Sequence, residues 1–295
     1  MPVTTPEYLT TRELAELLRI KERKVYDLAS SGQVPCTRAT GKLLFPRRGI
    51  EAWLEAKHEG RTTVSAAETR PAVMLGSHDP LLEWALRESA CGLASNFNGS
   101  LDGLELFASA QGVAAALHLF DAANDSWNVA AVAARFGGHP VVLMEFCWRE
   151  RGLVIGAHAS QRIQTLGDLV GQRVVPRQAG AGSQLLMDQL LQQQGLDRGQ
   201  IEFTDVAYTK TEAVTSVLDG SADATLGLQS IARRFDLPFV PLVRERFDLL
   251  VERRAWFEPP FQRFLEFCRS AAFRQRAESL DGYDVSGFGR VRFNA

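Results

Sequence analysis

Two unequal α/β parts are expected of this 295-residue chain, and three observations predict them. In the first sixty residues the apolar spacing runs helix, short turn, helix, hairpin. Residues 59–72 lose nearly all large apolar side chains. From residue 73 onward, short apolar runs alternate with amphipathic stretches, the pattern of strands and helices in an α/β body with parallel sheets. The 45% hydrophobic content suits a globular chain with room for a sizeable core.

The elements of the first part follow in order. Thr10-Thr11-Arg12-Glu13 has the form of a capping box, and Leu14, Leu17 and Leu18 then fall at helical spacing. Ile20-Lys21 breaks the pattern. A second helix with Val25, Leu28 and Ala29 inward stops at Ser30-Ser31-Gly32. Val34-Pro35 to Phe45-Pro46 reads as a hairpin turning near Thr40-Gly41, and Ile50, Trp53 and Leu54 mark a third helix. This order is a winged helix-turn-helix plan.

Charge supports that plan. The whole chain sums to only −2, which on its own argues against a nucleic-acid partner. Yet Arg19, Lys21, Arg23, Lys24, Arg38, Lys42, Arg47 and Arg48 face only Glu22 and Asp27, a local net of +6 that leaves −8 for the remainder. Phosphate-facing surfaces need such a concentration of cations, so double-stranded DNA is the expected partner. Thr11, Lys21, Arg23, Lys24 and Tyr26 are the expected contacts from the helices, with Arg38 and Lys42 placed for the backbone or minor groove.

His58 to Ala72 has linker composition and separates this module, residues 1–58, from the body, residues 73–295. In the body the expected elements are a strand at 73–76, a helix capped by Asp79 with Pro80 at its first position, and a strand near 93–97. A helix over 101–110 and strands over 113–120, 141–146 and 153–157 follow. Then come helix 166–170, strand 173–175, helix 183–193, strand 201–206, helix 212–218 and strand 222–228.

Ligands of such sheets bind where strands hand over to helices. Three handover loops share one chemistry: Gly76-Ser77-His78, Gly99-Ser100 and Gly180-Ala181-Gly182-Ser183. Free N–H groups and hydroxyls at helix starts hold an anion without a cationic side chain. The expected ligand contacts are Ser77, His78, Ser100, Gly182, Ser183, Gln184, Thr209 and Lys210, for a small anionic ligand. His118 and Asp121 are read as a structural hydrogen-bonded pair, Asp223 as an internal cap or hinge residue, and Arg244, Glu245 and Arg246 as a possible lobe-spanning ion-pair site.

Other classes are excluded or disfavoured. No apolar run approaches the ~18 residues of a membrane span, and residues 1–30 lack a signal-peptide core, so a cytoplasmic protein is expected. Cys36, Cys91, Cys147 and Cys268 form no metal-ligand spacing, and no nucleophile–base motif or cofactor fingerprint stands out; neither catalysis nor a cofactor is expected.

Two resemblances sharpen this reading. LTTRELAELL, VYDLASSGQVP and GKLLFPRRGIEAWL resemble the MerR or excisionase type of helix-turn-helix over about residues 7–57. GSHDPLLEWAL, NGSLDGLELFASAQGVAAALHLFD, RQAGAGSQLLMDQLL, AVTSVLDGSADATLGL, VPLVRERFDLL and LDGYDVSGFG resemble the type II periplasmic-binding-protein-like domain of molybdate-binding proteins. That likeness implies two lobes, 73–148 with 240–295 and 149–239, and a cleft for molybdate, tungstate or a molybdenum-cofactor-related ligand. It implies a homodimeric one-component regulator; the rivals are a solute-binding protein, a molybdopterin-biosynthesis protein, and lobes that only dimerise. The loop Arg177 to Gln184 departs from the family pattern, with Ser183 in place of Thr and Gln184 in place of Arg, which removes one fixed charge.

Overall fold

The computed structural model describes residues 7–39, 41–56 and 70–295, and the chain divides into two compact units, residues 1–68 and 69–295. Most of the expected linker and Thr40 of the expected hairpin turn lie outside the described residues.

In the first unit β1 (Tyr8–Thr10) leads into α1 (Thr11–Leu18). Thr10 and Glu13 complete the capping box in both directions. Arg19 adopts a left-handed conformation that ends α1, and α2 (Glu22–Ser30) begins three residues later. β2 (Thr37–Ala39), β3 (Lys42–Pro46) and α3 (Arg47–Ala56) complete the module. The order β1-β3-β2 makes the wing a three-stranded antiparallel sheet, one strand more than the hairpin expected. Leu9 of that extra strand is buried with Leu14, Val25, Val34, Phe45 and Ile50.

The body opens with β4 (Val73–Gly76), α4 (Pro80–Glu88), β5 (Ala94–Asn96), α5 (Ser100–Ala108) and β6 (Ala114–Leu117). The short pair β7 (Phe120–Asp121) and β8 (Ser126–Trp127) and α6 (Val129–Phe136) precede a long strand, β9 (Val141–Ile155). Then follow β10 (Arg173–Val175), α7 (Gly182–Gln193), β11 (Glu202–Phe203), α8 (Lys210–Leu218), β12 (Ala224–Leu228) and α9 (Gln229–Arg234). A second long strand, β13 (Phe239–Glu252), leads to α10 (Arg253–Trp256), α11 (Pro259–Cys268), α12 (Ala271–Glu278), β14 (Tyr283–Asp284) and β15 (Val291–Asn294).

The strand order is β11-β10-β12-β9-β13-β6-β4-β5. β4, β5 and β6 are mutually parallel, as are β10, β11 and β12. β9 and β13 run antiparallel to each other; β9 is antiparallel to its neighbour β12, and β13 to its neighbour β6. Each therefore belongs to both lobes, which is why the parallel sheets expected are a mixed sheet. Separate apolar cores lie on the two sides, one around Met74, Phe146, Phe247 and Phe264, the other around Leu153, Leu166, Val174 and Leu186.

Several expectations are corrected. Strands 141–146 and 153–157 are one strand, because the charged stretch Trp148–Gly152 that reads as a break continues the ladder opposite β13. Leu166–Val170 forms a single 3₁₀ turn, Leu166–Leu169, and strand 201–206 shrinks to Glu202–Phe203. His118 and Asp121 do not pair: His118 faces Glu245, while Asp121 accepts from Ala123 and Asn124 in its own turn. Asp223 is neither cap nor hinge. Its buried carboxylate accepts from the Arg173 guanidinium and lies 2.9 Å from His158 Nε2, inside one lobe.

Candidate functional site

A cleft of about 300 Å³ lies between the lobes of the body. One wall carries Ser77, His78, Phe97, Gly99 and His118; the other carries Arg177, Gly182, Ser183, Tyr208, Thr209 and Lys210. The approach is close. A side chain at Gly182 would place its Cβ 2.6 Å from the His118 ring, so only glycine fits there. Gly76, at φ +96°, likewise would drive a Cβ to within 2.3 Å of the Ala116 carbonyl; its turn lets Ser77 N–H donate to that oxygen at 2.8 Å.

Three helices begin at the cleft. α5 and α7 start at Gly99 and Ala181 without a side-chain cap, so no side chain competes for their first N–H groups. α8 differs: Thr209 accepts from Glu212 N–H in a complete capping box. Lys210 Nζ crosses the cleft and donates to the His78 carbonyl at 2.6 Å, joining the walls.

Cations stand behind this lining. Arg149 and Arg151, both fully buried, extend from one face of β9 toward Glu245 of β13. Arg149 Nη1 donates to Asp79 Oδ2 at 2.7 Å and its other arm pairs with Glu245. Arg151 Nη2 donates to Ser183 Oγ at 2.7 Å, which leaves the serine proton to be donated into the cleft. Tyr283 O–H donates to Asp79 Oδ2 at 2.6 Å. His118 Nδ1 lies 2.9 Å from Glu245 Oε2 without hydrogen-bond alignment, and Arg151 Nε and Nη1 find no acceptor. Buried unpartnered donors of this kind call for a water or a ligand nearby.

Titration follows from this packing. Burial would raise Asp79 and Glu245, but Arg149, joined by Lys210 and Tyr283 at Asp79 and by His118 and Arg151 at Glu245, outweighs it and holds both carboxyls below their usual range. Burial pushes His118 down to about 4, against the pull of Glu245, so the ring is neutral at pH 7. Burial foremost, then Arg149, holds the Lys210 ammonium well below the usual lysine range. Burial and Arg151 lower Arg177 to about 10, still protonated at neutral pH. Four cations thus meet Asp79 and Glu245, with Glu212 also acting on Arg177, so the cluster is neutral or singly positive according to the state of Lys210.

Of the residues singled out from sequence, Ser77, His78, Gly182, Ser183, Thr209 and Lys210 come together as cleft lining. Ser100 and Gln184 do not line it. Ser100 Oγ is buried behind Ser77 at 2.8 Å and accepts from His118 N–H. Gln184 Oε1 accepts from Arg177 N–H, and its Nε2 donates to Asp188 at 2.9 Å; its amide pins the loop that presents Arg177. Arginines stand behind the neutral donors of these loops. Sequence reading missed Arg149, Arg151 and Arg177. The Arg149-Glu150-Arg151 alternation within an apolar strand was the available signal, since alternate residues share one face.

In the first unit, Lys21, Arg23, Lys24, Arg38 and Lys42 are all exposed. Tyr26 is 54% exposed, beside them on α2, and Thr11 is half-buried at the start of α1.

Fold and cleft together define a helix-turn-helix module carried with a two-lobed binding-protein body. Residues 83–269 match the PBP superfamily domain, and the chain belongs to that superfamily. Residues 8–58 match the family described as a helix-turn-helix domain. The chain is 26% identical over 302 residues to an uncharacterized Bacillus subtilis protein, YvgK, with 96% of each chain covered. It is 25% identical over 109 residues to an uncharacterized Clostridium pasteurianum protein from the 5′ region of a 2Fe-2S ferredoxin gene, covering 36% of this chain and 96% of that protein. Among solved structures, Peb3 from Campylobacter jejuni aligns with a TM-score of 0.49 at 17% identity, covering 72% of this chain and 98% of its own. Both domains are binding modules, the pairing of a ligand-binding, DNA-binding regulator.

Proposed function

We propose that this protein is a cytoplasmic transcriptional regulator that binds double-stranded DNA as a homodimer and closes its cleft on a small anion. The buried Arg151 guanidinium, which stands behind Ser183 with two nitrogens lacking an acceptor, carries the ligand reading. A buried guanidinium with nitrogens left unpartnered is costly unless a further acceptor completes it. The uncapped helix starts of α5 and α7 and the hydroxyls of Ser77 and Ser183 supply directional donors for oxygen atoms. A tetrahedral oxyanion such as molybdate or tungstate matches that donor set. The ligand acts on DNA binding only through its differential affinity for closed and open lobes.

One observation favours a second form of the same reading. The cleft holds about ten times a water molecule's share of liquid volume, ~30 Å³. A bare oxyanion would share it with water, whereas an anionic group on a larger body would also reach Phe97 and Tyr208, one from each wall. A melting-temperature panel on the full chain decides: molybdate, tungstate, sulfate and anionic organic acids, each at matched ionic strength. A rise with molybdate or tungstate above sulfate supports the oxyanion. A rise only with organic anions supports the second form, and no rise with any anion overturns the anion reading.

A further inference from the structure

A second cavity of about 480 Å³ lies outside the cleft, where α4 and the end of α12 from one lobe approach α9 from the other. Four arginines line it: Arg87 on α4, Arg233 and Arg234 on α9, and Arg276 on α12. Two carboxylates oppose them, and both are engaged. Asp281 lies 3.4 Å from Arg233, and Glu83 lies 3.1 Å from His78. Arg87 is met by Glu88 at 3.3 Å. Arg234 and Arg276 have no carboxylate within ion-pair distance among the described residues; Arg276 stands over the Trp84 ring, 5.8 Å from its centroid. Ser230, only 7% exposed, also lines this cavity, and its Oγ has no hydrogen-bond partner. Like charges from two lobes converge on one groove.

We infer that this groove is a second anion site, built for a small, multiply charged anion of the diphosphate or tricarboxylate class. Planar guanidiniums match phosphate and carboxylate oxygens in pairs, and several around one groove favour a ligand with several charges over a monovalent one. Because α4 and α9 belong to different lobes, an anion held by Arg276 and Arg234 ties the lobes together. The groove also shares α4 with the cleft: Asp79 caps the helix and joins the cleft network, while Glu83, one turn on, faces both His78 and the groove. Its occupant therefore bears on lobe closure without entering the cleft.

The test is calorimetric titration of the full chain with pyrophosphate and, separately, citrate, at constant ionic strength. Saturable binding of either supports the site, and the stronger of the two identifies the anion class. Arg234→Ala with Arg276→Ala should weaken that binding about tenfold or more, the loss expected for charged hydrogen bonds. Both side chains are exposed, so the unliganded melting temperature should not move. Lys210→Gln, which alters the cleft alone, should leave pyrophosphate binding in place. No binding of either anion overturns the inference. So does binding that survives the arginine pair and disappears with Lys210→Gln, because the anion then sits in the cleft.

Discussion

The two positively charged regions of this chain solve opposite problems. In the helix-turn-helix module, Lys21, Arg23, Lys24, Arg38 and Lys42 stand in solvent. In the body, Arg149 and Arg151 are removed from it entirely and are held by Glu245, Asp79 and Ser183. Exposed cations are screened by salt within about a Debye length, ~8 Å at physiological ionic strength, whereas buried ones are screened far less. The same residue types thus suit a long polyanion met by a surface in one place and a small anion enclosed among fixed dipoles in the other. A pair of measurements at rising salt sharpens the contrast: operator affinity should fall steeply, and affinity for the cleft ligand should change little.

The largest expected effect breaks the buried side of the comparison. Arg149→Ala leaves Asp79 and Glu245 buried without their main counter-charge, and should cost about 3–5 kcal/mol in denaturant unfolding. A cost no larger than that of an exposed arginine would mean the network is not what holds the two lobes' shared strands. Next comes Lys210→Gln, which should lower ligand affinity about tenfold or more in titration while operator binding by the unliganded protein stays unchanged.

On the exposed side, Arg23→Ala and Lys24→Ala should each weaken operator binding and reduce the salt slope by about 1. Unchanged slopes in both would move the DNA-facing surface off α2. The smallest effect is a pH dependence. A bound anion favours charged Lys210 and raises its pKa from the lowered value of the free protein. Binding then takes up a proton. Affinity should be full below the free-state pKa and fall as pH rises from that value toward the bound-state one, in titrations where Lys210→Gln shows no such fall.

Much of the architecture was legible because its causes are local. The capping box of Thr10 and Glu13, the inward spacing of Leu14 and Val25, and the Asp79-Pro80 helix start each act within one turn of chain. The placing of the glycine and serine loops along the cleft was legible for the same reason: helix starts are written in a few residues. What was hidden depends on register between distant segments. Arg149 meets Glu245 across 96 positions of sequence, and His118 meets Glu245 rather than its neighbour Asp121. A charged run inside β9 reads as a loop until its partner strand is known. Gln184 was misplaced for a related reason, since only the folded loop shows that its amide serves Arg177 and Asp188.

The two long strands carry a mechanical consequence. β9 and β13 are hydrogen-bonded to each other along most of their length and pass from one lobe to the other, about 50 Å each at about 3.3 Å per residue. Sliding one past the other by a residue would turn Arg149, Arg151 and Glu245 to the wrong face of the sheet, so the lobes cannot shear apart along them. The ladder is irregular at two places only, between Pro241 and Val243 and between Phe247 and Asp248, and Glu245 lies between them. Among the described residues, only the short β14 joins the pair between these two places, at Trp148 and Arg149, so this narrow ribbon is where twisting of the lobes would concentrate. The ion pairs at its middle act as the pin of that torsion spring, which gives the occupant of the cleft leverage on the whole body.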